Sequence, residues 1–250
     1  MIFTSMPNFW RIINKVIEES DLILEIIDSR NIEKTRNIEI EDKVKRLGKK
    51  LIYVFNKCDL VDIETLKPLK KVLTPSVFVS ARDYEGTKLL RNAILKNSGS
   101  KSTIFVGVLG YPNTGKSSLI NALAGRSSAK TSNESGYTKG LQYIRVSARI
   151  KLIDTPGVIP YRENDENKHG STSVIDYSKI KDPEDVAINI MRENSGVIEK
   201  HYDVEIKEDV DETLETISKK LSHLKKGGIP DTKRTARLIL QDWQKGKIRN

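Results

Sequence analysis

The phosphate-cradling pattern Gly110-Tyr111-Pro112-Asn113-Thr114-Gly115-Lys116-Ser117 stands behind the fourth apolar strand-like run of this chain, not the first. Such a loop wraps backbone N–H groups round a phosphate, and it requires a strand before it and a helix after it. Thr103 to Leu109 supplies the strand, and Ser117 to Leu123 opens the helix. Asp21 to Asp28, Lys50 to Phe55 and Val77 to Val79 are three earlier runs, short and apolar enough for strands buried on both faces. Helices are expected over Phe9 to Glu19, Thr35 to Leu47 and Gly86 to Leu95, with Gly48 as a left-handed C-cap. Strands alternating with helices predict a doubly wound, mostly parallel α/β sheet. Leu141 to Val146 and Arg149 to Ile153 read as a hairpin belonging to it.

Each polar motif falls at the C-terminal end of a predicted strand, where sheets of this class bind ligands. Lys116 is placed to bridge the β- and γ-phosphates of a nucleotide, with the Ser117 hydroxyl on magnesium. Pro112, Asn113, Thr114, Gly115 and Ser118 complete the phosphate-side set, and the helix adds the partial charge of its N-terminus. Asp154-Thr155-Pro156-Gly157 ends a later strand. Asp154 would hold the magnesium through water and the Gly157 N–H would meet the γ-phosphate, although this tetrapeptide is also a common turn. Thr138 is either the switch threonine that completes the magnesium shell or a plain loop hydroxyl. Asn56-Lys57-Cys58-Asp59 follows the second strand. The Asp59 carboxylate accepts from guanine N1–H and N2–H₂, which adenine does not offer. Asn56 is expected on the N7 side and the Lys57 stem over the base. A site built on such pairing rejects an analogue lacking the donors by about 10⁴-fold. Ser80-Ala81-Arg82, after the third strand, would back the guanine.

A GTPase ordinarily runs from its phosphate loop to its base motifs. Here the base half comes first, so the chain reads as a circularly permuted Ras-like P-loop NTPase. Lys96-Asn97-Ser98-Gly99-Ser100-Lys101-Ser102 is polar and rich in Gly and Ser, and reads as the seam that joins the two natural ends. The GTPase domain is expected over residues 1–165. Beyond it the strand pattern stops. Asp182-Pro183 opens a helix that runs to Glu193, with Asp182 as N-cap, and Val210 to Leu221 is a second. Gly227-Gly228-Ile229-Pro230-Asp231 then caps a last helix, Thr232 to Lys245, with Leu238, Ile239, Leu240 and Trp243 on its apolar face. Residues 166–250 are accordingly expected as a small α-helical domain.

The net charge of +9 is concentrated at that end: Ser218 to Asn250 holds ten basic and two acidic residues, a net of +8. A basic segment on a near-neutral chain points to a polyanion, and its alternative is a solvated helix face. Lys219, Lys220, Lys225, Lys226, Lys233, Arg234 and Arg237 are the candidate RNA contacts. With 37% apolar and 31% charged residues, the composition is that of an ordinary soluble protein. No apolar run approaches the ~20 residues of a membrane span. The first residues lack the basic start and apolar core of a signal peptide, and the single Cys58 allows no internal disulfide. A cytoplasmic location is expected, with no membrane or DNA partner. His169, His201 and His223 are too dispersed for a metal site, and Trp10 and Trp243 read as packing residues.

The motif order, with Gly-Tyr-Pro-Asn-Thr-Gly-Lys-Ser-Ser at 110–118, Thr138-Lys139-Gly140 and Asp-Thr-Pro-Gly-Val at 154–158, resembles the circularly permuted GTPases of the YlqF/YawG type. The resemblance covers residues 8 to 160 and continues through Leu224 to Asp231. It implies a magnesium-dependent enzyme that hydrolyses GTP to GDP and phosphate and acts as a switch in large-subunit assembly by binding ribosomal RNA. Val158 stands where Ras-like GTPases carry the water-orienting Gln, and the family is known for a hydrophobic residue there. The catalytic group is therefore unassigned, and hydrolysis should be slow without a ribosomal partner. In potassium-activated GTPases an Asn at the position of Asn113 helps to bind a monovalent cation; the alternative is that Asn113 only shapes the loop. Asp28-Ser29-Arg30 looks like the family's Asp-Ala-Arg element. One departure is that bacterial members often carry an N-terminal Gly-His-Met segment, whose His is proposed to assist hydrolysis, whereas no His precedes His169 here. The alternative function is a guanine-nucleotide-binding RNA scaffold or chaperone with negligible turnover. A third reading is an ATPase.

Overall fold

A strand without a polar face must be covered on both sides, and β1 (Leu22–Asp28) shows the consequence, with all seven residues buried. The computed structural model describes residues 6–125, 142–155 and 177–249. Its further strands are β2 (Lys50–Asn56), β3 (Ser76–Val79), β4 (Ile104–Gly110), β5 (Gln142–Arg145) and β6 (Ile150–Asp154). They form one sheet in the order β3-β2-β1-β4-β6-β5. Among the described strands, β5 alone runs antiparallel to its neighbour. The phosphate-loop strand β4 lies beside β1, the first strand of the chain. From that junction β2 and β3 build outward on one side, and β6 and β5 on the other. The β1/β4 junction is thus the topological switch point, where an open α/β sheet binds its ligand.

The alternation along β1 assigns the two faces. Leu22, Leu24 and Ile26 pack with Leu90 and Ile94 of α3 (Thr87–Ser98) and with Leu119, Ile120 and Leu123 of α4 (Lys116–Ala124). Ile23 points to the other face, against Ile13, Val16 and Ile17 of α1 (Met6–Glu19) and Ile40 and Val44 of α2 (Ile38–Arg46). Burying each such side chain is worth about 1.5–3 kcal/mol, so the paired helices hold the strand ends, and with them the motif loops, in place.

Three local expectations are corrected. The helix expected over Thr35 to Leu47 is broken: Ile32–Thr35 forms one turn, and α2 starts only after Asn37. The Asn37 side chain accepts from the Ile40 N–H at 3.2 Å, a local cap that competes with a continuous helix. The Gly/Ser seam is shorter than read, because α3 continues through Ser98 and only Gly99 to Thr103 connect it to β4. β1 is not wholly apolar in effect either. Glu25 is fully buried, and its Oε1 accepts from the Asn37 N–H at 2.6 Å.

Burial, and then the neighbouring Glu41, raise the Glu25 pKa well above its ordinary 4.5, while the Asn37 N–H works the other way. A carboxyl raised on folding binds protons more tightly in the native state. Its contribution is therefore complete below 4.5 and is lost as pH rises through the native value. Urea unfolding at pH 5 and pH 8 should show the wild type losing about 1 kcal/mol or more between them, since one unit of raised pKa is worth that much. Glu25→Gln should flatten this slope.

The chain divides into two compact units, Met1–Glu163 and Asn164–Asn250. The second unit packs α5 (Pro183–Glu193), α6 (Val197–Tyr202), α7 (Val210–Lys220) and α8 (Thr232–Gln244) round Val186, Ile190, Leu214, Ile217, Ile239, Leu240 and Trp243. Asp231 caps α8, accepting from the Arg234 N–H at 3.1 Å. Asp182 stands at the N-cap position of α5 but makes no side-chain capping bond, so Pro183 at the first position carries that helix start. Leu238, read as part of the apolar face of α8, is only half-buried. The short helix α6 has no counterpart in the sequence reading.

Candidate functional site

The loop leaving β4 folds back over its own lysine. Lys116 Nζ donates to the carbonyls of Gly110 at 3.0 Å and Tyr111 at 2.8 Å, and Thr114 Oγ1 donates to Tyr111 O at 2.9 Å. Burial lowers the Lys116 pKa to about 8, and Asp154 partly offsets it. Asp154 stands at the end of β6, opposite Val108 of β4, which brings it to the phosphate-loop side of the sheet. Its carboxyl is pushed up by burial and pulled back by Lys116 and the Thr155 N–H. Asp154 Oδ1 is buried and has no hydrogen-bond partner among the described residues. An orphaned carboxylate oxygen of this kind fits a hard cation that takes oxygen ligands. Ser117, in the first turn of α4, is the second oxygen that magnesium would take. Among the described residues no cluster of three His, Cys, Asp or Glu is arranged to hold a metal ion.

The base half is built on β2. Asn56 ends that strand between Asp28 of β1 and Val79 of β3. Its Nδ2 donates to Thr114 O at 2.8 Å, and its Oδ1 accepts from the Ala81 N–H at 3.2 Å. One buried carboxamide thus joins the phosphate loop to the Ser80-Ala81-Arg82 loop. The sequence reading gives Asn56 a place on the guanine N7 side; in the structure the two ends of its amide tie loops together. Lys57 follows in the left-handed region, at φ 60. A non-glycine residue held there costs on the order of 1–2 kcal/mol. Lys57 Nζ donates to Asp28 Oδ2 and to Asn113 O, both at 2.9 Å, so its ammonium is engaged at the phosphate loop.

The short helix Cys58–Leu60 explains the spacing of the motif. Cys58 and Leu60 are buried and anchor the turn, while Lys57 and Asp59 between them keep partial exposure. Burial, and then Asp59, push the Cys58 thiol up to about 11, which leaves it an inert anchor at neutral pH. Ser80 is buried, its N–H donating to Glu85 O at 3.1 Å and its Oγ to Asp83 Oδ2 at 3.1 Å. Arg82 is exposed. Thr138, Gly157 and Val158 lie outside the described residues.

The parts therefore meet at the switch point: phosphate loop, Asp154, base turn and backing loop, on the C-terminal ends of β4, β6, β2 and β3. A family model described as a 50S ribosome-binding GTPase matches residues 105–226, and one described as RsgA GTPase matches residues 42–162. The fold superposes on GNP-bound YlqF from T. maritima with a TM-score of 0.65 and 24% identity, covering 96% of this chain and 94% of that one. Its GDP-bound form gives 0.63 and 23%, covering 94% of each chain. The chain shares the fold of YlqF. The uncharacterized GTP-binding protein MJ1464 of Methanocaldococcus jannaschii is 43% identical over 246 residues, covering 95% of this chain and 65% of that protein. Nucleolar GTP-binding protein 2 of Yarrowia lipolytica is 35% identical over 251 residues, covering 96% of this chain and 49% of that protein. The chain thus spans about half to two thirds of the length of these relatives.

Within the second unit, Lys219, Lys220, Lys225, Lys226, Lys233 and Arg234 are exposed. Lys219 pairs with Glu215 at 3.8 Å, and Lys220 with Asp203. Arg237 departs from its expected role. Its guanidinium donates to the carbonyls of Tyr177 and Ser178 at 3.3 Å and Ile180 at 3.4 Å, so it ties α8 to the segment before α5. His223 is spent on Thr235 at 3.0 Å, and Trp243 is a core residue. Among the described residues no helix is long and apolar enough to cross a membrane.

The sequence reading missed Asp28, except as a family element. It is 2% exposed, receives the Arg30 guanidinium at 2.7 Å and Lys57 at 2.9 Å, and so joins the base turn to β1. The available signal was an acid at the very end of a buried strand with an Arg two residues on.

Proposed function

We propose that the chain is a magnesium-dependent switch that binds GTP and GDP, hydrolyses GTP slowly by itself, and grips ribosomal RNA or a large-subunit precursor through residues 164–250. The observation that carries this reading is the joining of the two loops by Asn56, with Asp59 on a turn anchored at both sides. Such a frame presents an acceptor carboxylate to guanine N1–H and N2–H₂. Lys116, the Gly110 to Gly115 backbone and the α4 N-terminus would take the phosphates. Ser117 and Asp154 would hold magnesium, which screens the developing charge on the phosphates, and Thr138 is assigned the closing place in its shell. The ribosomal partner is supported by the match to the 50S ribosome-binding GTPase family model, by the similarity to nucleolar GTP-binding proteins, and by the exposed lysines of the second unit.

A valine at 158 cannot orient water, so turnover should depend on something supplied by the partner, or on a potassium ion at Asn113. Single-turnover hydrolysis, with and without ribosomal particles and in potassium and sodium, tests this. The switch reading predicts acceleration of about tenfold or more with particles, on the pattern of partner-supplied catalytic groups. Negligible turnover under every condition would instead support the guanine-nucleotide-binding RNA scaffold.

A further inference from the structure

Residues 28–30 form a clamp on the base-reading turn, and none of them carries a nucleotide role assigned above. Ser29 holds the carbonyl of Asn56 twice, through its N–H at 2.9 Å and its hydroxyl at 2.7 Å. Asp28 takes Lys57 Nζ at 2.9 Å on Oδ2. Arg30 closes the third side, its Nε donating to Asp28 Oδ1 at 3.0 Å, its Nη2 to Oδ2 at 2.7 Å, and its backbone N–H to Oδ1 at 3.1 Å. The pair is desolvated, with 3% and 2% side-chain exposure. Burial alone would raise the Asp28 pKa, but Arg30 and Lys57 outweigh it and hold the carboxyl below its ordinary range.

This cluster surrounds the one backbone position in the motif that is disfavoured for a side chain, Lys57 at φ 60. The peptide on one side of that residue is pinned by Ser29, and the side chain itself by Asp28. Arg30 fixes the carboxylate, so that Asp28 has one geometry to offer. Lys57 passes the constraint in two directions: to Asn113 O in the phosphate loop, and along two residues of chain to Asp59. We infer that Asp28, Ser29 and Arg30 are positioning residues for guanine recognition, acting through the strained Lys57 to set the register of Asp59 against the phosphate loop. The inference rests on the guanine-nucleotide reading and adds to it the residues that determine base specificity from outside the pocket.

The test measures GDP and IDP affinity for Asp28→Asn, Arg30→Lys and Ser29→Ala in folded protein, with thermal melting without nucleotide alongside. IDP lacks the 2-amino group that Asp59 would accept. Asp28→Asn should weaken GDP by about 100-fold, since it removes one partner of a buried ion pair, and should reduce the preference for GDP over IDP. Arg30→Lys keeps the charge but not the two-pronged contact, and should fall between this variant and wild type. Ser29→Ala leaves both charges in place and should weaken GDP about fivefold through the loss of one buried hydrogen bond. It decides the question if Asp28→Asn does not fold. A clamp that served folding alone would lower the melting temperature and leave the GDP-to-IDP ratio of the folded protein at the wild-type value, and that result would overturn the inference. Wild-type protein without affinity for GDP would overturn the nucleotide reading itself, and the clamp with it.

Discussion

Gly115→Ala should weaken nucleotide binding by about 5- to 150-fold. Gly115 sits at φ +93, and a Cβ there would come within 2.2 Å of Asn56 Nδ2. The contact is with a buried amide that is already fixed, by Thr114 O at one end and the Ala81 N–H at the other. Either Asn56 lets go of the phosphate loop or the loop moves away from the base half. The first leaves buried polar groups unpaired, at about 1–3 kcal/mol. The second adds backbone strain of about 1–3 kcal/mol at a position where a side chain does not fit. Either route predicts a loss of affinity of about 5- to 150-fold, at 1.4 kcal/mol per tenfold. Titration of a fluorescent GDP analogue into folded variant and wild type measures it. Wild-type affinity in the variant would mean that the two loops are not joined as described.

Asp59→Asn should move specificity rather than erase binding. In the proposed pocket the carboxylate accepts two guanine donors, whereas a carboxamide would accept one and offer an N–H to the other, opposing the 2-amino group. Xanthine carries a carbonyl at that carbon and would receive the N–H. GDP should weaken by about 100-fold, the scale of a site left with mismatched polar groups, while XDP gains relative to it. The Cys58 and Leu60 anchors are untouched, so the fold should survive. Competition by GDP, XDP and ADP gives the ranking. An unchanged GDP preference would remove Asp59 from the base pocket, and strong ADP binding by the wild type would favour an ATPase.

These motifs were legible because loops at strand ends have narrow demands. A phosphate loop needs glycines, a lysine and a following helix, and Asn56 and Asp59 need an apolar strand before them; each is visible within ten residues of sequence. The order of the motifs exposed the permutation, and the strand order β3-β2-β1-β4-β6-β5 carries the same rotation into space. Contacts between distant segments were not legible. The Asp28–Lys57 pair spans 29 residues and the Asn56–Thr114 bond spans 58. No periodicity reports them. Local capping was missed for a related reason: Asn37 breaks a helix because its side chain and its N–H both find partners, and only one of those partners is nearby in sequence. Arg237 looked like a surface cation because composition records charge but not the backbone carbonyls of Tyr177, Ser178 and Ile180, beside which α8 places it.

In the proposed function, permutation also gives the switch its setting. The base half leads, the phosphate loop follows, and the chain then leaves β6 at Asp154 toward the second unit, whose C-terminal part carries the +8 segment. Ordering of that exit by the γ-phosphate would bias the basic unit directly, as γ-phosphate contacts order switch segments elsewhere. The most direct measurement is co-sedimentation of the protein with large ribosomal subunits in the presence of a non-hydrolysable GTP analogue or GDP at saturating nucleotide. The account predicts at least about tenfold tighter association with the GTP analogue, the size of an ordinary coupling free energy. Equal association in both states would contradict it, because a nucleotide that binds two conformations equally shifts neither.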